Sequence, residues 1–290
     1  MENKKRANGK FLESHPVAHA LILVVGVMLL VAVIESIIVV LASGVAATVI
    51  YGSATRENTE NLGLISTVIT LLAYLIVLLL YWFKFRKELH GFFSARQTGK
   101  GLLLGWSELG IAIFAIVAGV VMHKTYGSFG VAILSGLQPG VSEEIMCRII
   151  PISFAMRSPR GKQLVVPVVI ITSLIFGLRH GLNIFFGGDP LSTMFQVLYA
   201  TASGFLFAAI YMRTGNMWIT MVLHSITDII YYTGAKAQMG NGALSQVTDM
   251  SAIVFMLLYT VLYFVNAFYI FRKEKREQIP DTWVRIWGKE

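Results

Sequence analysis

The chain has 290 residues, 56% hydrophobic and only 14% charged, with net charge +8 and mean hydropathy +0.68. A soluble domain carries about 25% charged residues, so this composition excludes a soluble globular protein and indicates an integral membrane protein. The single cysteine, Cys147, excludes an intrachain disulfide. The positive charge is a topology signal and predicts no nucleic-acid partner.

A helix needs about 20 apolar residues to cross the hydrocarbon layer. Residues 1–15 form a basic, polar tail, and the apolar run after it is too long for a signal-peptide core. The first span is therefore expected at about 16–42, interrupted by Glu35, followed by a polar link in which VAATVIY touches the interface. The second covers about 63–82 and precedes a basic loop at 84–100; the third covers about 101–122, with Glu108 in its middle. After a Gly-rich link, a fourth helix starts at Pro139 and runs to about Ser158. Further spans fall at about 163–181, 191–212, 217–234 and 251–271, with a turn-rich loop at 183–190. The charged tail 272–290 carries Trp283 and Trp287, which suit an interface. The expected fold is all-α: a polytopic membrane domain, 16–271, of about eight transmembrane helices between two short tails.

Nineteen Lys and Arg fall on the side of the N-terminus and three on the other, which predicts that both termini are cytoplasmic. No organelle-targeting segment is recognised, so the expected location is a bacterial plasma membrane. That topology carries Glu143, Glu144, His180, His224 and Asp228 to a similar depth on three separate helices.

Ionisable groups at mid-membrane cost roughly 2.5–3.5 kcal/mol each on insertion scales, so they need partners, water or a function. Glu144 and Arg148 are four residues apart on one helix and can pair, leaving Glu143 as the freer carboxylate. Phe176 shares a face with His180 and can wall one side of the imidazole. His224 and Asp228 are again four apart, so the carboxylate can orient the ring. Each pair also fits a packing role as an interhelical contact. Glu35 and Glu108 read as interhelical hydrogen-bonding groups, Ser142 as a helix N-cap, and Gly101 with Gly105 as a close helix contact. Arg179 either extends outward or meets a substrate carboxylate. Tyr231–Tyr232 and Phe185–Phe186 suit interface belts.

Three of these segments carry a resemblance. EEIMCR (143–148), FGLRH (176–180) and HSITD (224–228) match EExxxR, FxxxH and HxxxN/D, in that order. In this the chain resembles the CPBP family of intramembrane proteases, which joins CAAX proteases and bacteriocin-processing enzymes and is also called the Abi family. The likeness covers about residues 101–235. It implies a CAAX-protease-like bundle and endopeptidase action on membrane-associated or exported peptides. Glu143 would be the general base, assisted by His180. His224 and Asp228 would stabilise the oxyanion, and Glu144 with Arg148 would hold the base in position, with Phe176 beside them.

Asp228 stands where many family members have Asn, and an ionised Asp cannot donate a hydrogen bond. Glu143, His180, His224 and Asp228 could instead hold Zn²⁺ with an activated water, although the metal-free reading is preferred. No HExxH motif occurs, and the GGD at 187–189 lacks the spacing of a membrane aspartyl protease. Two rival functions remain: a non-catalytic bacteriocin-immunity or scaffold protein of the same fold, and a proton-coupled transporter.

Overall fold

The computed structural model describes residues 15–121, 129–158, 161–234 and 250–288, and among these residues no strand occurs. Helix α1 (Pro16–Tyr51) has proline in its first turn and ends at Gly52 in the left-handed conformation, φ 80°. It continues well past residue 42, so VAATVIY belongs to the helix and not to an interfacial link. No residue before Gly52 supplies the stop. A short α2 (Arg56–Glu60) leads into α3 (Leu64–Phe85).

The expected third span is broken. Helices α4 (Thr98–Leu104) and α5 (Trp106–Val121) meet at Gly105 with a bend of 67°. Glu108 consequently sits in the first turn of α5 and not at mid-span.

The fourth helix begins earlier than Pro139. Helix α6 (Phe129–Glu144) includes Pro139 in its interior, passes through a π-helical turn at Ile145–Ile149, and continues as α7 (Ile150–Met156). Proline is tolerated within such a helix because packed neighbours re-satisfy the freed backbone groups. The acidic pair therefore lies midway along one helical stretch. The π-turn directly follows it, and wide turns of this kind recur at functional sites.

Helix α8 (Gly161–His180) ends in a 3-10 turn, Gly181–Phe186, in place of the expected loop. Asp189, from the GGD segment, caps α9 (Pro190–Thr214): its carboxylate accepts from the Ser192 backbone N–H and hydroxyl, both at 2.8 Å. Helices α10 (Met217–Gly234) and α11 (Met250–Phe271) complete the bundle, followed by α12 (Lys273–Arg276) and α13 (Ile279–Ile286).

The all-helical, polytopic membrane architecture is the expected one. Five described helical segments are long and apolar enough to cross a membrane, or six if the bent α4–α5 pair counts as one. The remaining two expected spans fall on 129–156 and on α10, which carry ionisable motif residues and pack against each other in the bundle interior. A helix surrounded by other helices needs less apolar surface than one facing lipid.

Close packing of α10 rests on glycines, as expected where no hydrophobic force separates protein from lipid. A Cβ on Gly136 would lie 2.4 Å from the Ile229 amide nitrogen, and one on Gly140 would lie 2.6 Å from that of Ser225. Gly101 and Gly105 lie against the side chains of Ile219 and Leu223, the close contact that their spacing suggested.

The C-terminal segment is part of the core at one end of the bundle, not an interfacial anchor. Trp283 and Trp287 are both 2% exposed. Trp283 Nε1 donates to the Met212 carbonyl (3.0 Å) and Trp287 Nε1 to that of Ser153 (3.1 Å). Their rings fill the space that a tail at the membrane surface would leave open.

Candidate active site

The glycine-mediated crossing of α6 and α10 sets the acidic pair against His224. Glu144 and Arg148 form an ion pair in which neither side chain is exposed. The expected i,i+4 pair is thus present, across the π-turn. The guanidinium of Arg148 lies 3.9 Å from the Phe176 ring centroid and 5.5 Å from that of Phe207. Its Nε and Nη2 have no hydrogen-bond partner among the described residues, and the two ring faces supply that side of the charge with a cation–π environment.

Glu144 Oε1 also lies 2.9 Å from His224 Nδ1. A carboxylate already paired with arginine can only accept, so Nδ1 carries the hydrogen and Nε2 is directed toward Glu143 and Asp228. Nε2 is 3.8 Å from Glu143 Oε2 and 3.5 Å from Asp228 Oδ2. Phe207 lies against the imidazole at a tilt of 30°, with centroids 5.5 Å apart.

Phe176 stands between the two histidines. Its ring is perpendicular to His180 at 5.1 Å and to His224 at 5.9 Å, the edge-to-face geometry favoured by ring quadrupoles. Gln196 Nε2 donates to His180 Nδ1 at 3.2 Å, leaving the hydrogen of a neutral ring on Nε2. His180 is within electrostatic reach of Glu143.

Glu143, the freer carboxylate of the pair by helix geometry, has a partner from another helix. Its Oε1 is ion-paired with Arg179 Nη2, the residue before His180, while Oε2 faces His224. Arg179 Nη1 also approaches the Met146 sulfur at 3.3 Å. The structure gives Arg179 a partner that the sequence does not suggest, the Glu143 carboxylate on another helix. An inter-helix partner cannot be read from spacing along one helix.

Glu143, His180, His224 and Asp228 line one cavity of about 390 Å³. Its wall includes Glu108, whose Oε1 accepts from Thr227 Oγ1 on α10, the interhelical bond expected of it. Tyr199, Tyr231, Tyr259 and Tyr263 also line it. Tyr231 and Tyr232 therefore face the site, whereas Phe185 and Phe186 are 81% and 85% exposed and fit a lipid-facing belt. Ser142 is a buried mid-helix residue accepting from Gln138 Nε2 (2.9 Å), not an N-cap. Glu35 is half-buried and accepts a hydrogen bond from the hydroxyl of the neighbouring Ser36, at 3.4 Å. Cys147 is buried as a packing residue.

Among the described residues, no three His, Cys, Asp or Glu side chains are grouped so that they could hold a metal ion. One Glu143 oxygen is engaged by Arg179 and His180 Nδ1 by Gln196. As arranged, the four side chains named above do not fit Zn²⁺.

Residues 127–230 match the family model described as type II CAAX prenyl endopeptidase Rce1-like. This segment contains all three motifs and most of the cavity wall. A relative from Bacillus subtilis (strain 168), named "Putative membrane peptidase YdiL", is 26% identical over 212 residues, which cover 70% of this chain and 84% of the relative. No solved structure matches the chain. The two matches and the membrane-spanning helices support a membrane protease, and they bear out the CPBP-family reading that the three motifs carry.

Proposed function

We propose that this chain is an intramembrane endopeptidase in which Glu143 activates water for attack on a peptide bond. The observation that carries the proposal is the convergence of Glu143, His180, His224 and Asp228, from three helices, on one cavity. Oε1 of Glu143 is held by Arg179, which leaves Oε2 as the reacting oxygen. Oε2 takes a proton from water as the water oxygen bonds to the scissile carbonyl carbon. The carbonyl oxygen becomes an oxyanion and accepts a hydrogen bond from His224 Nε2–H. The C–N bond then breaks as Glu143 returns the proton to the leaving amine.

Each remaining group has a positioning task. Glu144 holds His224 through Nδ1, and Arg148 holds Glu144. An imidazole donating from both nitrogens is an imidazolium, and Glu144 and Asp228 supply its countercharge. His180, with Nδ1 engaged by Gln196, presents Nε2–H to the water or the oxyanion. Phe176 fixes the angle between the two imidazoles. This scheme uses no metal.

The substrates on this reading are membrane-associated or exported peptides. The distribution of basic residues supports an orientation with both termini in the cytoplasm, and a bacterial plasma membrane is the location proposed with it. Reconstituted protein should cut a subset of a membrane-peptide library, and Glu143→Gln should cut none. Accessibility labelling of a cysteine placed at 228 tests the orientation: labelling from the cytoplasmic side alone contradicts it.

A further inference from the structure

A second cavity, of about 440 Å³, opens at the end of the bundle where the N-terminus of α4, the C-terminus of α9 and α13 meet. Its wall includes Lys100, Arg213 and Arg285, and the acidic group among its lining residues is Asp281. Among the described residues none of the three cations is ion-paired with a carboxylate. Each is held by a neutral acceptor instead. Lys100 Nζ donates to Gln97 Oε1 (3.0 Å), and Arg213 Nη1 to the Ile270 carbonyl (3.4 Å). Arg285 donates from Nε to the Asp281 carbonyl (3.3 Å) and from Nη2 to Thr282 Oγ1 (3.5 Å).

Arg213 is only 8% exposed, at the inner end of the cavity wall, while Lys100 and Arg285 are exposed. Lys100 lies within repulsive range of Arg213, Arg285 and Lys275, and Arg213 within that of Arg272. Nearby arginines are treated differently: Arg157 makes a forked pair with Glu88, with contacts of 2.8–3.1 Å, and Arg272 pairs with Glu274. A concave cluster of like charges, in part desolvated, favours occupation by an anion. Two guanidinium forks and an ammonium match the tetrahedral oxygens of phosphate.

We propose that this cavity binds the phosphate group of an anionic molecule, with Lys100, Arg213 and Arg285 supplying the contacts. The phosphate comes either from an anionic phospholipid headgroup or from free phosphate in the aqueous phase. A headgroup suits a site on the basic end of a membrane protein, where a negatively charged leaflet would face it. The site lines neither the cavity of Glu143 nor any part of its wall, so its test is independent of peptidase activity.

Equilibrium binding to the full chain, purified in neutral-detergent micelles, tests the proposal. The probes are short-chain phosphatidylglycerol, inorganic phosphate and, as the control without net charge, zwitterionic phosphatidylcholine of equal chain length. Lys100 and Arg285 are exposed, so the Lys100→Gln/Arg285→Gln double variant should fold normally. Lys84→Gln/Lys87→Gln removes the same charge outside the cavity. The expected result is saturable binding weakened at least about tenfold by the first double variant, as befits the loss of two charge-assisted contacts, and unchanged by the second. Phosphatidylglycerol alone showing this pattern identifies a lipid site; inorganic phosphate showing it identifies a free-phosphate site. No saturable binding of either probe, or equal affinity in the wild type and the first double variant, overturns the proposal.

Discussion

The guanidinium of Arg179 is ion-paired with the Glu143 carboxylate, so the residue preceding one motif histidine holds the acid of another motif. One oxygen of Glu143 is fixed by this contact and the other is left toward His224. The same carboxylate is thereby anchored and available.

The two arginines at the site should differ in what their loss costs. Arg148 and Glu144 are unexposed, so Arg148→Gln strands a buried charge at a cost of about 3–5 kcal/mol. The Arg179 side chain is 31% exposed and its partner 11%. Arg179→Gln should therefore destabilise measurably less, because water can solvate what remains. Thermal unfolding of both variants in detergent checks the order.

The crossing of α6 and α10 should tolerate no side chain at Gly140. A Cβ there meets the Ser225 backbone, which cannot rotate away. Gly140→Ala is expected to cost about 1–3 kcal/mol through overpacking. It should also reduce cleavage by about 100-fold, the effect of misplacing a catalytic group by roughly 1 Å. At Gly110 an added methyl would meet nothing within 4 Å, and Gly110→Ala should leave both properties unchanged. Cleavage rates and unfolding midpoints of the two variants provide the comparison.

Asp228 faces His224 Nε2 at 3.5 Å, where an amide would lose the countercharge but gain a hydrogen-bond donor. Asp228→Asn should retain cleavage within about tenfold of wild type, since Asn can donate to the oxyanion. Asp228→Ala keeps neither the countercharge on His224 nor a donor and should lose about 10²–10³ in kcat, comparable to the loss of one oxyanion-hole group. Steady-state kinetics on a cleaved peptide separates the two.

Trp287 closes the end of the bundle through its hydrogen bond to the Ser153 carbonyl. Trp287→Ala should cost about 3–5 kcal/mol, as large-to-small core changes do. Trp287→Phe keeps most of the volume and should cost only about 1 kcal/mol for the lost bond. A tail lying free at the membrane surface would give no loss in either variant, and unfolding curves distinguish the cases.

The sequence reveals most where a relation lies within one helix. The i,i+4 spacing gives the Glu144–Arg148 pair, the Phe176–His180 contact and the approach of Asp228 to His224. It reveals least where the partner comes from another helix. Helix periodicity leaves Glu143 unpaired because Arg179 lies 36 residues away. Trp283 and Trp287 read as surface anchors by composition, yet a hydrogen bond 134 residues back in sequence makes Trp287 a core residue. Gly136 and Gly140 repeat the small-residue spacing of Gly101 and Gly105, a signal that marks a close-packing face on α6 but does not name α10 as its partner. Pro139 suggests a helix start by its usual preference, but the packed bundle overrides that preference.

The most direct test of the central claim compares cleavage of a membrane-peptide library by wild type, by Glu143→Gln, and by wild type with a strong chelator. Glutamine keeps the size of the side chain and its contact with Arg179 while removing the base. The account predicts that Glu143→Gln folds normally and cuts nothing, while chelated wild type cuts at its full rate. Cleavage by Glu143→Gln at the wild-type rate, or its loss in chelated wild type, contradicts it.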